Sequence, residues 1–153
     1  MNEMNRKVSG SCIVFKDNKV LLVRHTYGPA CGKYLIPGGF SEYGELPAIT
    51  AKREVFEETK VVIDVNELVA VRFTTEEVWC IFNASYISGE PTSDLMENDS
   101  AIFMDIETAI QSDVVVETTR VLIKSLYQKQ KSLLVKSKFI NSRYSIDTWQ
   151  LYL

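Results

Sequence analysis

The chain has 153 residues, 46% of them hydrophobic and 24% charged, with a formal net charge of -3. That length allows one domain, 1–153, with a sizeable core, and the balance is that of an ordinary globular protein. The slight acidity argues against a general nucleic-acid binder, which would carry a basic stripe, but not against a phosphate substrate, because a bound cation reverses the local sign.

From the N-terminus, Met1 to Lys7 is polar and no long apolar run follows. No signal peptide or membrane span is expected, and a cytoplasmic location with no membrane partner follows from those expectations. Cys12, Cys31 and Cys80 are scattered without a C-x-x-C pair, which excludes a zinc cluster or disulfide scaffold on spacing and suits a reducing compartment. Ser11 to Phe15 and Val20 to Val23 are apolar runs around the polar Lys16-Asp17-Asn18-Lys19, the pattern of a β-hairpin. Tyr27 to Lys33 reads as a loop, and Tyr34-Leu35-Ile36 as a short strand ended by Pro37-Gly38-Gly39.

A helix is predicted from about Pro47 to Thr59, since proline suits a first helical turn. Strands are predicted over Val61–Val65, Leu68–Thr74 and Val78–Ile87, with a turn at Ser88-Gly89-Glu90-Pro91. Ala101 to Met104 is apolar, Ile106 to Gln111 reads as a short helix, and Val114 to Lys129 as a long one with Val115, Leu122 and Leu126 sharing a face. Leu133 to Leu153 is a C-terminal extension that adds an edge strand, packs as a tail, forms a dimer contact or acts as a lid. The order predicts a mixed α/β (α+β) domain, its β-sheet sandwiched between helices.

The chemistry concentrates in the first long helix. Glu54, Glu57 and Glu58 stand at i, i+3 and i+4, spacings that share one face. Ala48, Ala51, Val55 and Thr59 fall on another, suited to the core. Crowded carboxylates repel, and a hard divalent cation, Mg2+ or Mn2+, would offset the repulsion. Taken alone, an E-x-x-E-E run is most often a solvated helix face. Here Gly38 and Gly39 precede it and allow close backbone approach, and Glu45 and Arg53 are spaced to pair across the incoming loop.

Gly39-x5-Glu45-x7-Arg53-Glu54-Val55-x-Glu57-Glu58, with Val61 at the last aliphatic position, resembles the box of the Nudix hydrolases, the MutT-like family. The strand-to-loop entry Tyr34 to Gly39 is similar to that family too. The box spans roughly a seventh of the chain, and the order of elements is similar to about residue 130. One position departs: Lys60 stands where the family has glycine. A residue there that must turn left-handed is strained by roughly 1–2 kcal/mol, and a lysine at a helix C-terminus recovers part of that. The expected consequence is mechanical.

The resemblance implies a Nudix-like fold and hydrolysis of a nucleoside diphosphate linked to another group X, by water attack at phosphorus with Mg2+ or Mn2+. It implies Glu54, Glu57 and Glu58 as metal ligands and catalytic residues, a backbone carbonyl of Gly38 or Gly39 as a further ligand, and Glu45 with Arg53 as the supporting pair. For the ligand or base that family members often take from outside the box, Glu97 is the candidate, with Glu76, Glu77 and Asp99 as rivals. Arg24 and Arg72 are candidates to meet substrate phosphates. Tyr34, Phe73 and Trp79 suit stacking on a base but suit the core better. His25, the one histidine, reads as a strand-end residue. The family's coenzyme A motif is absent, and Glu76 and Glu77 stand where its ADP-ribose hydrolases often carry a proline. The expected partner is a small nucleotide-type molecule, with no stable nucleic-acid partner and a homodimer left open. A nucleotide-binding module without turnover is the alternative. A calcium-binding loop of EF-hand type is excluded by its missing motif.

Overall fold

A computed structural model describes residues 5–128, 134–145 and 148–153. Strands β1 (Lys7–Lys16) and β2 (Lys19–His25) form the expected hairpin. Asp17 and Asn18 both take positive φ, 49° and 61°, as a tight hairpin turn demands. The short strands β3 (Tyr34–Leu35) and β4 (Gly38–Phe40) follow, then helix α1 (Pro47–Thr59) with Pro47 in its first turn. Next come β5 (Val62–Thr74), β6 (Glu77–Ser88), β7 (Asn98–Asp105), α2 (Ile106–Gln111), α3 (Glu117–Tyr127) and β8 (Trp149–Tyr152).

The strands make one mixed sheet ordered β3-β2-β1-β6-β5-β8, with β4 also on β1 and β7 also on β2. β1 runs parallel to β6, and the other pairings are antiparallel. Both faces are buried, so the inner strands read as unbroken apolar runs. Cys12, Val14 and Leu21 pack with Ala51 and Val55 of α1 on one face. Ile13, Val20 and Leu22 pack with Ile106, Leu122 and Ile123 of α2 and α3 on the other. The sheet therefore lies between helices, as expected. α1 sits close to β1 because Gly10 has no side chain: a Cβ there would stand 2.2 Å from the Pro47 carbonyl oxygen.

Three expectations are corrected. The strands expected at Val61–Val65 and Leu68–Thr74 are one strand, β5, whose register against β6 shifts between Val65 and Leu68. The helix expected from Val114 begins at Glu117 and ends at Tyr127, while Lys129 lies outside the described residues. Val115 makes a parallel bridge with Tyr34 instead, so it shares the core with Leu122 without sharing the helix. Of the segment from Leu133, which itself lies outside the described residues, β8 extends the sheet on β5 and Phe139 packs edge-on against Trp149.

Candidate active site

Glu54, Glu57 and Glu58 do share a side of α1, but their exposure is graded. The Glu57 side chain is 56% exposed, Glu54 13% and Glu58 2%. Glu58 leans in under β4, where the Gly38 N–H donates to its Oε1 at 2.9 Å. Its Oε2 is buried with no hydrogen-bond partner among the described residues. Burial pushes the Glu58 carboxyl well above the usual carboxylate range. The Gly38 N–H opposes this, and Glu54, Glu97 and Asp94 add to it. Burial also raises Glu54, against the pull of Arg53.

Arg53 organises the approach to the helix. Its Nε and Nη2 donate to the two carboxylate oxygens of Glu45 at 2.8 and 3.0 Å, a bidentate pair. Nη2 also donates to the Phe40 carbonyl at 3.1 Å, and Nη1 to Glu54 and Glu57 at 2.8 and 3.1 Å. Glu45 further accepts from the Glu42 N–H and the Thr50 hydroxyl. These contacts fasten the loop before α1 onto the helix, as the Glu45/Arg53 spacing predicted. They also offset the repulsion between Glu54 and Glu57 in this arrangement. With both turned onto Arg53, no three Asp, Glu, His or Cys side chains among the described residues converge on one point.

Gly39 lies against Glu54 so closely that a Cβ would stand 2.5 Å from its carboxyl carbon. The Gly39 backbone and the Glu54 carboxylate are thus brought together at the β4–α1 junction.

Glu97 is exposed and near enough to raise both Glu54 and Glu58. Its rivals lie elsewhere: Asp99 pairs with Arg24 at 2.7 Å, Glu77 with Arg72, and Glu76 is exposed beside the β5–β6 turn. Arg24 is therefore engaged by Asp99 on the surface. Tyr34 packs with the core and its hydroxyl meets Ser100, and Phe73 meets Tyr152 edge-on. Trp79 and Arg72 instead line a cavity of about 800 Å3 on the α3 side of the sheet, with Leu35, Phe40 and Trp149.

A Nudix-domain family model matches residues 5–126. The chain belongs to the Nudix family. An ADP-ribose pyrophosphatase of Methanocaldococcus jannaschii is 41% identical over 59 residues, 39% of this chain and 35% of its own length. The match therefore spans about a third of that relative. The fold is shared with a Nudix hydrolase from Nitrosomonas europaea, at a TM-score of 0.73 and 24% identity over 84% of this chain and 76% of the other. It is shared also with the Nudix domain of NrtR from Shewanella oneidensis, solved with ADP ribose, at a TM-score of 0.71 and 20% identity over 82% and 89%.

Within this Nudix box, Lys60 takes the left-handed conformation, φ 62°, that the family's glycine adopts freely. Its N–H bonds the Phe56 carbonyl at 2.9 Å and its Nζ reaches the Glu57 carbonyl at 3.2 Å. The departure changes how the helix stops and leaves the carboxylates in place.

Several neighbours of the Nudix box went unread in the sequence. The amide of Asn98 donates to the backbone carbonyl of Glu58 at 3.1 Å, tying the end of α1 to β7. Asp94 Oδ1 accepts the N–H groups of Met96, Glu97 and Asn98 and so shapes the loop that presents Glu97. His25 ends β2, as its place in the sequence predicts, and it also lies beside the site. His25 Nε2 lies 4.0 Å from Glu58 Oε2, too long for a hydrogen bond, and its ring stacks on Tyr27 at 5.4 Å. Burial lowers its pKa, against Glu97 and Asp94. Only the Asp94-x-x-Glu97 spacing carried a local signal, that of a side chain capping its own turn.

Proposed function

We propose that this Nudix protein is a divalent-metal-dependent pyrophosphohydrolase, using Mg2+ or Mn2+, that cleaves a nucleoside diphosphate linked to a further group X. The observation that carries this reading is Glu58, a buried carboxylate with one hydrogen bond on Oε1 and none on Oε2 among the described residues. An ionised carboxylate in that condition is costly by several kcal/mol without a counter-charge. Oxygen donors on a rigid helix end suit a hard divalent ion. The donor set is Glu54, Glu57, Glu58 and a backbone carbonyl of Gly38 or Gly39, and loading it requires Glu54 and Glu57 to turn from Arg53. When bound, the metal polarises phosphoryl oxygens and lowers the pKa of the attacking water.

The protein's part is positioning. The Gly38 N–H and the Asn98 amide hold Glu58 from two sides. The Glu45–Arg53 pair fixes the loop across which the pyrophosphate lies. Glu97, exposed to water beside Glu54 and Glu58, is the candidate to accept the proton of the attacking water. His25, whose pKa burial lowers, lies beside Glu58. The cavity behind β4 receives the remainder of the substrate, with Phe40 shared between its wall and the Arg53 contact.

The test is release of phosphate-containing products from a panel of ADP-ribose, sugar nucleotides, nucleoside triphosphates and dinucleoside polyphosphates with Mg2+. Glu57→Gln should slow turnover about a hundredfold or more. An unchanged rate would remove Glu57 from the site. Tight binding without turnover under any divalent ion would replace the hydrolase with a nucleotide-binding module.

A further inference from the structure

The net charge of -3 conceals a division along the chain. Seven of the 17 lysines and arginines fall between residues 118 and 146, a stretch without a single aspartate or glutamate. The other ten share the rest of the chain with all 20 acidic residues. Asymmetry of this kind points to a polyanionic partner, whatever the sign of the total. Lys129 and Lys131 lie outside the described residues, whereas 134–145 lies within them. That segment is fastened to the body of the protein. Val135 exchanges two backbone hydrogen bonds with Leu153, at 3.4 and 3.2 Å, and the Ser137 N–H donates to the Leu151 carbonyl at 2.8 Å. Further on, Phe139 packs edge-on against Trp149, and the Asn141 amide reaches Thr118 Oγ1 on α3 at 3.5 Å.

Between these anchors burial alternates. Ser137 and Phe139 are partly buried, while Lys136, Lys138 and Ile140 are exposed. In an extended segment alternate residues repeat about every 6.6–6.8 Å, so the cations stand at even steps. A turn follows, in which Asn141 Oδ1 accepts the Arg143 N–H at 3.0 Å and the Asn141 carbonyl accepts the Tyr144 N–H at 3.3 Å. Arg143 is exposed, and Tyr144 beside it is 53% exposed. Lys136, Lys138 and Arg143 have no ion-pair partner among the described residues. Evenly spaced cations beside an open aromatic ring match a strand of evenly spaced phosphates with unstacked bases. A membrane surface would instead need an apolar face free to enter lipid, and the one phenylalanine of the segment packs on Trp149. We propose that residues 136–144 form a docking surface for single-stranded nucleic acid, with Lys136, Lys138 and Arg143 on phosphates and Tyr144 stacking on a base. The surface goes beyond the hydrolase reading and does not depend on it.

The test is fluorescence anisotropy of the full chain with an oligouridylate of about 16 nucleotides, labelled at its 3′ end and bearing a 5′-hydroxyl, in EDTA. Binding should saturate at about 50 mM salt, and log K should fall against log salt with a slope of about -2, the value for three neutralised phosphates of a single strand. The triple variant Lys136→Gln, Lys138→Gln, Arg143→Gln should weaken binding about tenfold or more and flatten that slope by about 2. Tyr144→Ala should weaken binding about tenfold and leave the slope as it is, because stacking releases no counterions. Lys52→Gln, at an exposed lysine of α1, is the control and should bind as the wild type. All the substituted side chains are exposed, so the variants should fold. No saturable binding at about 50 mM salt overturns the proposal, and so does binding that the triple variant leaves unchanged. Binding to vesicles of phosphatidylserine and phosphatidylcholine in place of the oligonucleotide would make this a membrane surface and overturn the proposal as well. Neither metal nor turnover enters these measurements, so their failure is distinct from a failure of the hydrolase reading.

Discussion

The Gly38 N–H and the Glu58 carboxylate are joined at 2.9 Å across 20 residues of sequence. The bond fixes one oxygen and leaves the other buried and bare. A ligand that binds only the folded protein stabilises it by about 2.7 kcal/mol at a hundredfold excess over Kd. For a chain of this size that is a rise of about 5–10 °C in Tm. Mg2+ should raise the wild-type Tm in scanning calorimetry by that order, and Glu58→Gln should remove most of the rise. In EDTA the variant should melt at or above the wild type, because an uncompensated buried charge has gone. A metal-dependent rise of equal size in both proteins would take Glu58 out of the ligand set.

Gly39 and Gly10 divide site from scaffold. A Cβ on Gly39 would stand 2.5 Å from the Glu54 carboxyl carbon, the movable end of a side chain. A Cβ on Gly10 would stand 2.2 Å from the Pro47 carbonyl oxygen and 3.1 Å from the Ala51 nitrogen, both backbone. Gly39→Ala should therefore displace Glu54 and lower turnover more than it lowers stability. Gly10→Ala must push α1 off the sheet and should be destabilised by roughly 1–3 kcal/mol or more in urea unfolding. Equal stability losses in the two variants would contradict this division.

What the sequence disclosed follows the range of the interactions involved. The bounds of α1 and the shared side of its carboxylates come from proline placement and helical spacing, which are local. The continuity of β5 was hidden by Asn66 and Glu67, polar residues that break the alternation where the register shifts. Val115 looked helical because apolar periodicity does not distinguish a helix turn from an extended bridge. Tyr34, far away in the sequence, holds it extended through hydrogen bonds to Val114 and Val116. The burial of Glu58 depends on Gly38 and Asn98, each from another strand, and so does the grading along the acidic face. Arg24 and Arg72 looked equivalent as strand arginines, and only the fold separates one paired on the surface from one lining a cavity.

Lys60 tests whether the imperfect end of the Nudix box is mechanical. Its φ of 62° strains a residue bearing a Cβ by roughly 1–2 kcal/mol. Glycine removes that strain but gains freedom in the unfolded chain and loses the contact of Lys60 Nζ with the Glu57 carbonyl. Lys60→Gly should stabilise the protein by about 0.5 kcal/mol in urea unfolding, within a range of about 0–1. Turnover should stay as in the wild type. A large change in kcat would mean that the turn, and not the carboxylates alone, shapes the reacting geometry.

The Glu45–Arg53 pair sets an acid limit on the loop before α1. Hydrogen bonds from Arg53, the Glu42 N–H and the Thr50 hydroxyl lower the Glu45 carboxyl from the ordinary 4.5 to about 2. A carboxyl with a depressed folded-state pKa contributes stability above its unfolded value and loses it as pH falls through the folded one. The contribution of Glu45 should thus be complete above about pH 5, shrink below 4.5 and be gone near pH 2. Glu45→Gln keeps the shape and removes the charge, so the difference in unfolding free energy between wild type and variant should follow that window. A difference that stays constant from pH 7 to pH 2.5 would show the pair acting through packing alone. A difference that grows on acidification would have the wrong sign for a carboxylate held ionised by an arginine.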